Sequence, residues 1–374
     1  MIVAVNTRSL ADDFPEEYAE YILETYKRIV ANNPEHTFIF LVDKKFTQRF
    51  IFGSTVKTIV TGPAARYPLL WKFWYDFKLP ALLKKYNADV FVSCNGICSL
   101  RTKVPQCLLI QELTFLQSFS FMKKSQVNFL KKYTAAFLTI AKSVATVSGF
   151  LKQEIISHYK IDSAKIDVVF SGVSDNFHPI SNEEKAIIKN KYTNGREYFV
   201  YSGEIHPGKN VMNLLKAFSI FKKRQQTNMK LVLAGKLAPK YGSFQKDLQS
   251  YKYRNDVVMT AATNETERIN IIGAAYGFID PSLYGGAIVL LLEAMKCDVA
   301  VITAAHSSMQ DIVKEAVLYT DTASHTGIAD KMILLYKDEN KRKELIEKGK
   351  DIAKQYDWEK TAALVWQSIL KACK

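Results

Sequence analysis

The stretch that most constrains the fold is residues 279–295, in which a short apolar strand runs through Pro281 and a glycine pair into an apolar helix. A glycine turn at the start of a helix is an anion site, because the free backbone N–H groups point outward and the helix dipole favours negative charge. The stretch therefore predicts a strand followed by an anion-binding helix N-terminus.

The predicted helix carries a single carboxylate, Glu293, about two turns from its start. That position is too deep for an N-cap, and a carboxylate on so apolar a helix needs a partner because burying it unpaired is costly. Two interpretations follow. Either a buried arginine or backbone group satisfies Glu293, or the carboxylate binds a ligand.

Strands and helices alternate along the chain, beginning with a strand at residues 1–5, a helix at 16–31 and a strand at 37–42. This rhythm is typical of parallel α/β architecture. A chain of 374 residues can form two domains, each with its own core. Polar residues and a proline interrupt the pattern at 171–179, where we expect the linker between domains.

Residues 281–295 resemble the donor-site motif of the family 4 retaining glycosyltransferases of the GT-B fold, P-S-x-x-E-G-F-G-x-x-x-x-E-A-M. Glu293, Ala294 and Met295 match the end of that motif, whereas Gly285 stands where the first glutamate is usual. Residues 166–179 resemble the family's I-x-V-x-x-N-G-V-x-x-x-x-F-x-P signature, with Ser171 at the asparagine position.

The resemblance runs nearly end to end and implies an α/β chain with the GT-B fold, two Rossmann-like domains facing a central cleft. It implies an acceptor-side domain at residues 1–175 and a domain that binds the nucleotide-sugar at 176–356. Residues 357–374 would form a helix that crosses back to the first domain.

The resemblance also implies a donor site on the second domain. Lys209 would neutralise the departing diphosphate, Glu293 would accept hydrogen bonds from the ribose, and the helix N-terminus would bind the phosphates. The predicted donor-binding residues are Gly203, Lys209, Asn210, Gly285, Gly286, Ala287, Ile288, Val289 and Glu293.

Four positions depart from the family pattern, and all are expected to line the cleft. The first loop, residues 11–14, has no glycine, and Gln111-Glu112 replaces the usual His-Asp pair. Glu204 and Gly208 occupy two arginine positions, and Gly285 is the fourth departure. Gln111 can hydrogen-bond a sugar, whereas Glu112 can also take a proton and is the second catalytic candidate beside Lys209.

Two functions therefore fit the sequence. The first is retaining transfer of a sugar from a UDP- or GDP-sugar to a glycan or lipid-linked acceptor in surface polysaccharide synthesis. The alternative is a catalytically degenerate GT-B protein that serves as a partner or scaffold in glycan assembly. No Asp-x-Asp pair stands at a strand end, so we expect no metal and no cofactor besides the donor substrate.

Basic residues dominate the first half of the chain. The net charge is +14, and residues 57–142 hold 13 Lys or Arg against three acids. Within this region, 66–80 and 121–133 combine aromatic residues with lysines. Such helices can lie on an anionic membrane, although aromatics packed in a core with lysines in water explain them equally. No nucleic-acid-binding motif is present, and we expect no nucleic-acid partner.

The sequence also predicts a compartment. It has no apolar run of about 18 residues, and its N-terminus lacks the charged region and cleavage site of a signal peptide. Five scattered cysteines indicate reduced thiols. We therefore expect a cytoplasmic protein, with contact at the inner face of the cell membrane.

Overall fold

The structure is a computed structural model and divides into two compact units, residues 1–172 with 358–374, and residues 173–357. The sequence places the corresponding boundaries at 175/176 and 356/357. The structure describes residues 1–8, 16–42, 53–62, 67–117, 122–238, 241–261, 264–283, 288–305 and 307–374.

The first unit is built on a parallel sheet that has seven strands in the described part of the chain, in the order β3-β2-β1-β4-β5-β6-β7. These strands are β1 Ile2–Asn6, β2 Thr37–Val42, β3 Val56–Val60, β4 Val90–Ser93, β5 Gln106–Ile110, β6 Ser143–Thr146 and β7 Ile166–Val168. Its helices are α1 Glu16–Asn32, α2 Pro68–Phe73, α3 Leu79–Lys85, α4 Lys124–Ile140, α5 Gly149–Tyr159 and, from the end of the chain, α14 Trp358–Ala372. A π-helical turn, Trp74–Lys78, joins α2 to α3.

The second unit is built on a parallel sheet of six described strands, in the order β10-β9-β8-β11-β12-β13. These strands are β8 Tyr198–Ser202, β9 Lys230–Ala234, β10 Val257–Thr260, β11 Gly277–Asp280, β12 Val301–Ala304 and β13 Val317–Thr320. Its helices are α6 Asn182–Thr193, α7 Val211–Gln225, α8 Ser243–Ser250, α9 Glu265–Gly273, α10 Ile288–Lys296, α11 Ser307–Val313, α12 His325–Lys337 and α13 Glu339–Ala353.

The cores lie on the faces of the two sheets. In the first unit, alternate residues of β1 face opposite ways, so that Ala4 packs into one apolar cluster while Val3 and Val5 pack into another. The helix α14 packs into the second cluster through Trp358 and Ile369. Strands buried on both faces explain the nearly continuous apolar runs that the sequence shows. The five cysteines are free thiols, four of them buried.

Strand order reverses direction once in each sheet. In the first sheet the reversal lies between β1 and β4, and in the second it lies between β8 and β11. At such a switch point the connections leave on opposite faces, which opens a crevice beyond the carboxyl ends of the strands. Each unit therefore has one topologically preferred place for a ligand.

Candidate functional site

Gly203 begins the loop at the switch point of the second sheet, directly after β8. Its φ of +130° is a conformation that favours glycine. A Cβ atom on Gly235, which follows β9, would lie 1.8 Å from the backbone oxygen of Gly203. The two strand ends thus approach too closely for a side chain, which leaves backbone groups at the floor of this crevice.

Lys209 and Asn210 lie at the end of the same loop, immediately before α7. The segment Pro207–Lys209 is a short 3-10 helix, and Nδ1 of His206 accepts a hydrogen bond from the N–H of Gly208 at 3.1 Å. Lys209 is half-buried. Its position at the N-terminal side of a 15-residue helix adds a cation to the positive end of the dipole.

The side chain of Asn210 ties the loops of this site together. Its Nδ2 donates to the carbonyl oxygens of Pro281 at 3.0 Å and Thr322 at 2.7 Å, and the N–H of Leu283 donates to Gly208 at 3.1 Å. The loops after β8, β11 and β13 are thereby fixed to one another. Asn210 therefore has a structural role, whereas donor binding by this residue stays a prediction.

Asp280 shapes the turn that leads from β11 towards α10, a role that the sequence did not reveal. The residue is buried, and its Oδ1 accepts hydrogen bonds from the N–H of Ser282 at 3.2 Å and from its hydroxyl at 2.5 Å. A carboxylate that caps its own turn in this way fixes the path of Pro281 and Ser282. In the sequence, the position of Asp280 directly before Pro281 and Ser282 is the pattern that could have indicated this role.

Glu293 is buried in the second turn of α10, with 1% of its surface exposed. Its Oε1 accepts a hydrogen bond from Nη2 of Arg268 on α9 at 2.9 Å, and this guanidinium lies 5.2 Å from the ring centre of Phe177. Of the two interpretations, the contacts thus show an arginine partner for Oε1 of the carboxylate, and this arginine is half-buried. Sequence reasoning missed Arg268, although it is the one basic residue within α9.

The start of α10 is predicted to bind phosphate, and only part of it is described. Ile288 and Val289 form its first residues and are half-buried. Gly285, Gly286 and Ala287 lie outside the described residues, as does the loop at 11–14. A Cβ on Gly203 would lie 3.3 Å from Cδ1 of Leu290, so the first turn of α10 packs against the end of β8. Gly203 and the helix start therefore belong to one site.

In the first unit, a buried polar cluster occupies the crevice between β1 and β4. Nδ2 of Asn6 donates to the Tyr75 hydroxyl at 2.6 Å and to Oδ1 of Asn95 at 3.1 Å. The Tyr75 hydroxyl donates to the same Oδ1 at 2.7 Å. The Arg8 guanidinium, also buried, lies 4.8 Å from the ring centre of Trp74. The sequence analysis predicted acceptor binding for this unit in general but did not identify this cluster.

Gln111 and Glu112 follow β5, the strand next to β4. Glu112 is exposed, and Gln111 is half-buried with an Nε2 atom that is inaccessible to solvent and has no hydrogen-bond partner. A buried donor without an acceptor costs about 1–3 kcal/mol. The pair thus places one amide and one carboxylate at the carboxyl end of β5. Lys209, the other predicted catalytic residue, belongs to the second unit.

An apolar patch with a basic border covers part of the first unit. We define the patch as Tyr67, Leu69, Phe73 and Phe77, which are 58%, 81%, 48% and 50% exposed. Arg101 lies 4.2 Å from the Phe77 ring centre and Lys123 lies 5.7 Å from that of Tyr67. Among the helices that the structure describes, none is long and apolar enough to cross a bilayer.

Comparison with known proteins identifies the family. The model for glycosyl transferases group 1 matches residues 182–352, and the model for glycosyltransferase family 4 matches residues 19–177. The chain belongs to glycosyltransferase family 4. The predicted family is thereby confirmed, and its two matched regions fall almost entirely within the second and first units respectively.

Relatives of this family 4 glycosyltransferase include two O-antigen enzymes. It is 26% identical to the O-antigen chain mannosyltransferase B of Escherichia coli over 242 residues, which span 63% of this chain and 62% of that relative. It is 25% identical to the O-antigen chain mannosyltransferase RfbU of Salmonella typhimurium strain LT2, over 71% of each protein.

Solved structures show the fold of this family 4 chain. Anabaena HepE in complex with UDP superimposes with a TM-score of 0.76, at 13% identity and over 99% of each chain. A likeness at that identity establishes architecture alone, which is that of the GT-B glycosyltransferases. The fold predicted from the sequence is confirmed.

Proposed function

We propose that this chain transfers a hexose, with retention at the anomeric carbon, from a UDP- or GDP-sugar to a glycan or lipid-linked acceptor in surface polysaccharide synthesis. The observation that carries the proposal is the site at the switch point of the second sheet, where Gly203, Lys209 and the start of α10 lie on connected loops. The names of the two O-antigen relatives support a polysaccharide acceptor and a mannosyl donor. The UDP held by HepE supports a nucleotide-sugar.

In the proposed reaction, the bond between the sugar carbon and the diphosphate oxygen breaks, and a bond from the acceptor oxygen to that carbon forms on the same face. The proton of the acceptor hydroxyl passes to the leaving phosphate oxygen. Lys209 and the N-terminus of α10 stabilise the negative charge that develops there. Because the leaving group takes the proton, transfer needs no protein base. If a protein base took the proton instead of the leaving group, Glu112 would be that base.

Glu293 would bind the ribose hydroxyls of the donor in this scheme. Its Oε1 is bonded to Arg268, so the guanidinium would hold the carboxylate in place while it accepts hydrogen bonds from the ligand. The Arg268 guanidinium also lies 5.2 Å from the ring centre of Phe177. We therefore assign Arg268 as a positioning residue for the donor site.

Calorimetric titration of the full chain with UDP, GDP, ADP and dTDP tests the proposal. We expect one nucleotide to bind with micromolar affinity, and Lys209→Ala and Glu293→Ala each to weaken it about tenfold or more, since each removes a charged contact. Exposed Lys216→Ala, on the helix α7 that follows Lys209, is the matched control. Absence of binding by all four nucleotides would contradict a donor site.

We further propose that the apolar patch of the first unit rests on an anionic membrane that carries the acceptor. Leu69, Phe73 and Phe77 are spaced by four residues, which brings neighbouring side chains to one side of a helix. The one acid within the α2–α3 segment, Asp76, is buried and binds Lys72 and the N–H of Leu100, so that it adds little charge to the surface. Lysines near an anionic leaflet contribute about 1 kcal/mol each.

Vesicle binding tests the membrane proposal. The wild-type chain is expected to sediment with vesicles that contain phosphatidylglycerol and to be released by salt. The double variant Leu69→Glu/Phe73→Glu is expected to lower the partition coefficient about tenfold or more, because it replaces apolar anchors with repelled charges. Ile187→Glu, on an equally exposed residue of the second unit, is the control. Equal binding by all three proteins would rule out the patch.

A further inference from the structure

The side chain of Asn95 is held in one orientation by a chain of donors of known direction. The backbone N–H of Arg8 can only donate, and it bonds to Oδ1 of Asn6 at 3.3 Å. Nδ2 of Asn6 must then point the other way, towards Tyr75 and Asn95. The atom of Asn95 that faces this amide must be its oxygen.

Tyr75 reinforces that orientation. Its hydroxyl accepts from Asn6 and donates to Oδ1 of Asn95. Burial raises the pKa of Tyr75 to about 12, against the opposing influence of Arg8, so the hydroxyl keeps its proton at neutral pH. The Ser93 hydroxyl lies 3.1 Å from the same oxygen, but it donates its one proton to the carbonyl of Ile97 at 2.6 Å. Rotation of the Asn95 amide would therefore lose two hydrogen bonds at once, those from Asn6 and Tyr75.

The consequence is that Nδ2 of Asn95 is directed away from the cluster. Among the described residues none accepts a hydrogen bond from it, and Asn95 is half-buried. The next residue, Gly96, has a φ of +74°, and a Cβ there would meet no atom within 4 Å. An oriented amide donor therefore lies at the switch point of the first sheet, beside a glycine that no described residue crowds.

The surroundings favour a neutral ligand with hydroxyl groups. Glu112 is exposed at the end of the neighbouring strand and disfavours an anion, whereas Nε2 of Gln111 on that strand end is closed to solvent. The Gly96 N–H bonds to the carbonyl of Leu109 at 3.1 Å, which ties the Asn95 turn to β5. Amide donors beside aromatic rings suit the hydroxyls of a sugar.

We propose that Nδ2 of Asn95 donates a hydrogen bond to a hydroxyl oxygen of the sugar at the acceptor end of the glycan, with Asn6 and Tyr75 as positioning residues. This inference rests on the proposed transferase function and deepens it, since it names the residue that selects the acceptor. The subsite belongs to the first unit, whereas the proposed nucleotide site belongs to the second. Acceptor and nucleotide binding should therefore respond differently to substitutions here.

The test measures the binding of α-linked mannotriose to the full chain by ligand-observed NMR, in the presence of saturating nucleotide. Nucleotide affinity is measured separately. Asn95→Ala is expected to weaken mannotriose binding about tenfold, or about 1.4 kcal/mol. Asn95→Asp should do the same, because a carboxylate keeps the internal hydrogen bonds but has no donor to offer. Tyr75→Phe, which frees Asn95 to rotate, should weaken binding about threefold. Nucleotide affinity should stay unchanged in all three.

Exposed Asn32→Ala of the same unit is the matched control, and the thermal midpoint of each variant shows that it is folded. Equal mannotriose affinity in the wild type and both Asn95 variants would overturn the assignment. So would a wild-type chain that binds nucleotide but no mannotriose. A wild-type chain that binds mannotriose but none of the nucleotides would count against the proposed function instead, and leave the subsite standing.

Discussion

Replacing Lys209 with alanine is expected to lower kcat about a hundredfold or more while the fold remains intact. The leaving diphosphate gains negative charge as the sugar bond breaks, and removal of one fixed donor from such a site costs about 10²–10³ in rate. Lys209 is half-buried, so water replaces its ammonium only in part. The measurement is steady-state transfer from the nucleotide-sugar that the titrations select.

Lys216→Ala separates this effect from a general loss of positive charge. Lys216 is an exposed lysine on α7, and its removal lowers the net charge by the same amount. We expect its kcat to match that of the wild type. A Lys209→Ala variant with full activity would show that the helix N-terminus alone stabilises the leaving group.

Replacing Arg268 with leucine is expected to lower the free energy of unfolding of the second unit by about 3 kcal/mol. The change leaves the carboxylate of Glu293, which is 1% exposed, without the guanidinium 2.9 Å away. Loss of one partner from a buried ion pair typically costs about 3–5 kcal/mol. Glu293→Leu should cost less, about 1 kcal/mol, because the Arg268 side chain is 22% exposed and can turn to water. The double variant should resemble Glu293→Leu.

The chain supplies an internal control for this measurement. Its four tryptophans, Trp71, Trp74, Trp358 and Trp366, all belong to the first unit. Tryptophan emission during urea unfolding should therefore keep its midpoint in every variant, whereas amide hydrogen exchange along α9 and α10 should speed up in Arg268→Leu. Equal destabilisation by Arg268→Leu and Glu293→Leu would contradict the asymmetry of the pair.

The alternation of strands and helices was sufficient to predict parallel α/β architecture, because parallel strands buried on both faces leave a repeated apolar signal. The GT-B fold was implied by the motif resemblance. The partner of Glu293 was not predictable, since Arg268 is 25 positions away and meets it only through the packing of α9 on α10. Asn95 was missed for a related reason. Its orientation depends on Asn6 and Tyr75, which are distant in sequence and meet at a switch point.

The aromatic stretch at 66–80 shows a different limit. Two interpretations were open, membrane contact or a core packed with aromatics, and the structure buries some of the aromatic residues and exposes others. Trp74 and Tyr75 are buried, whereas Phe73 and Phe77 are about half exposed. Hydrophobicity does not predict this division, because aromatic residues occupy positions 73, 74, 75 and 77 alike. Membrane contact itself stays a prediction.

The π-helical turn at Trp74–Lys78 links the two proposals made for the first unit. Its outer residues belong to the surface proposed for the membrane, and its inner residue Tyr75 orients the amide proposed for the acceptor sugar. Deleting one residue would restore α-helical spacing and rotate the flanking residues by about 100° relative to each other. Evolution cannot lengthen or shorten this turn to change one preference without disturbing the other. New acceptor preferences would arise more readily at Asn95, which can be replaced without altering the membrane-facing side.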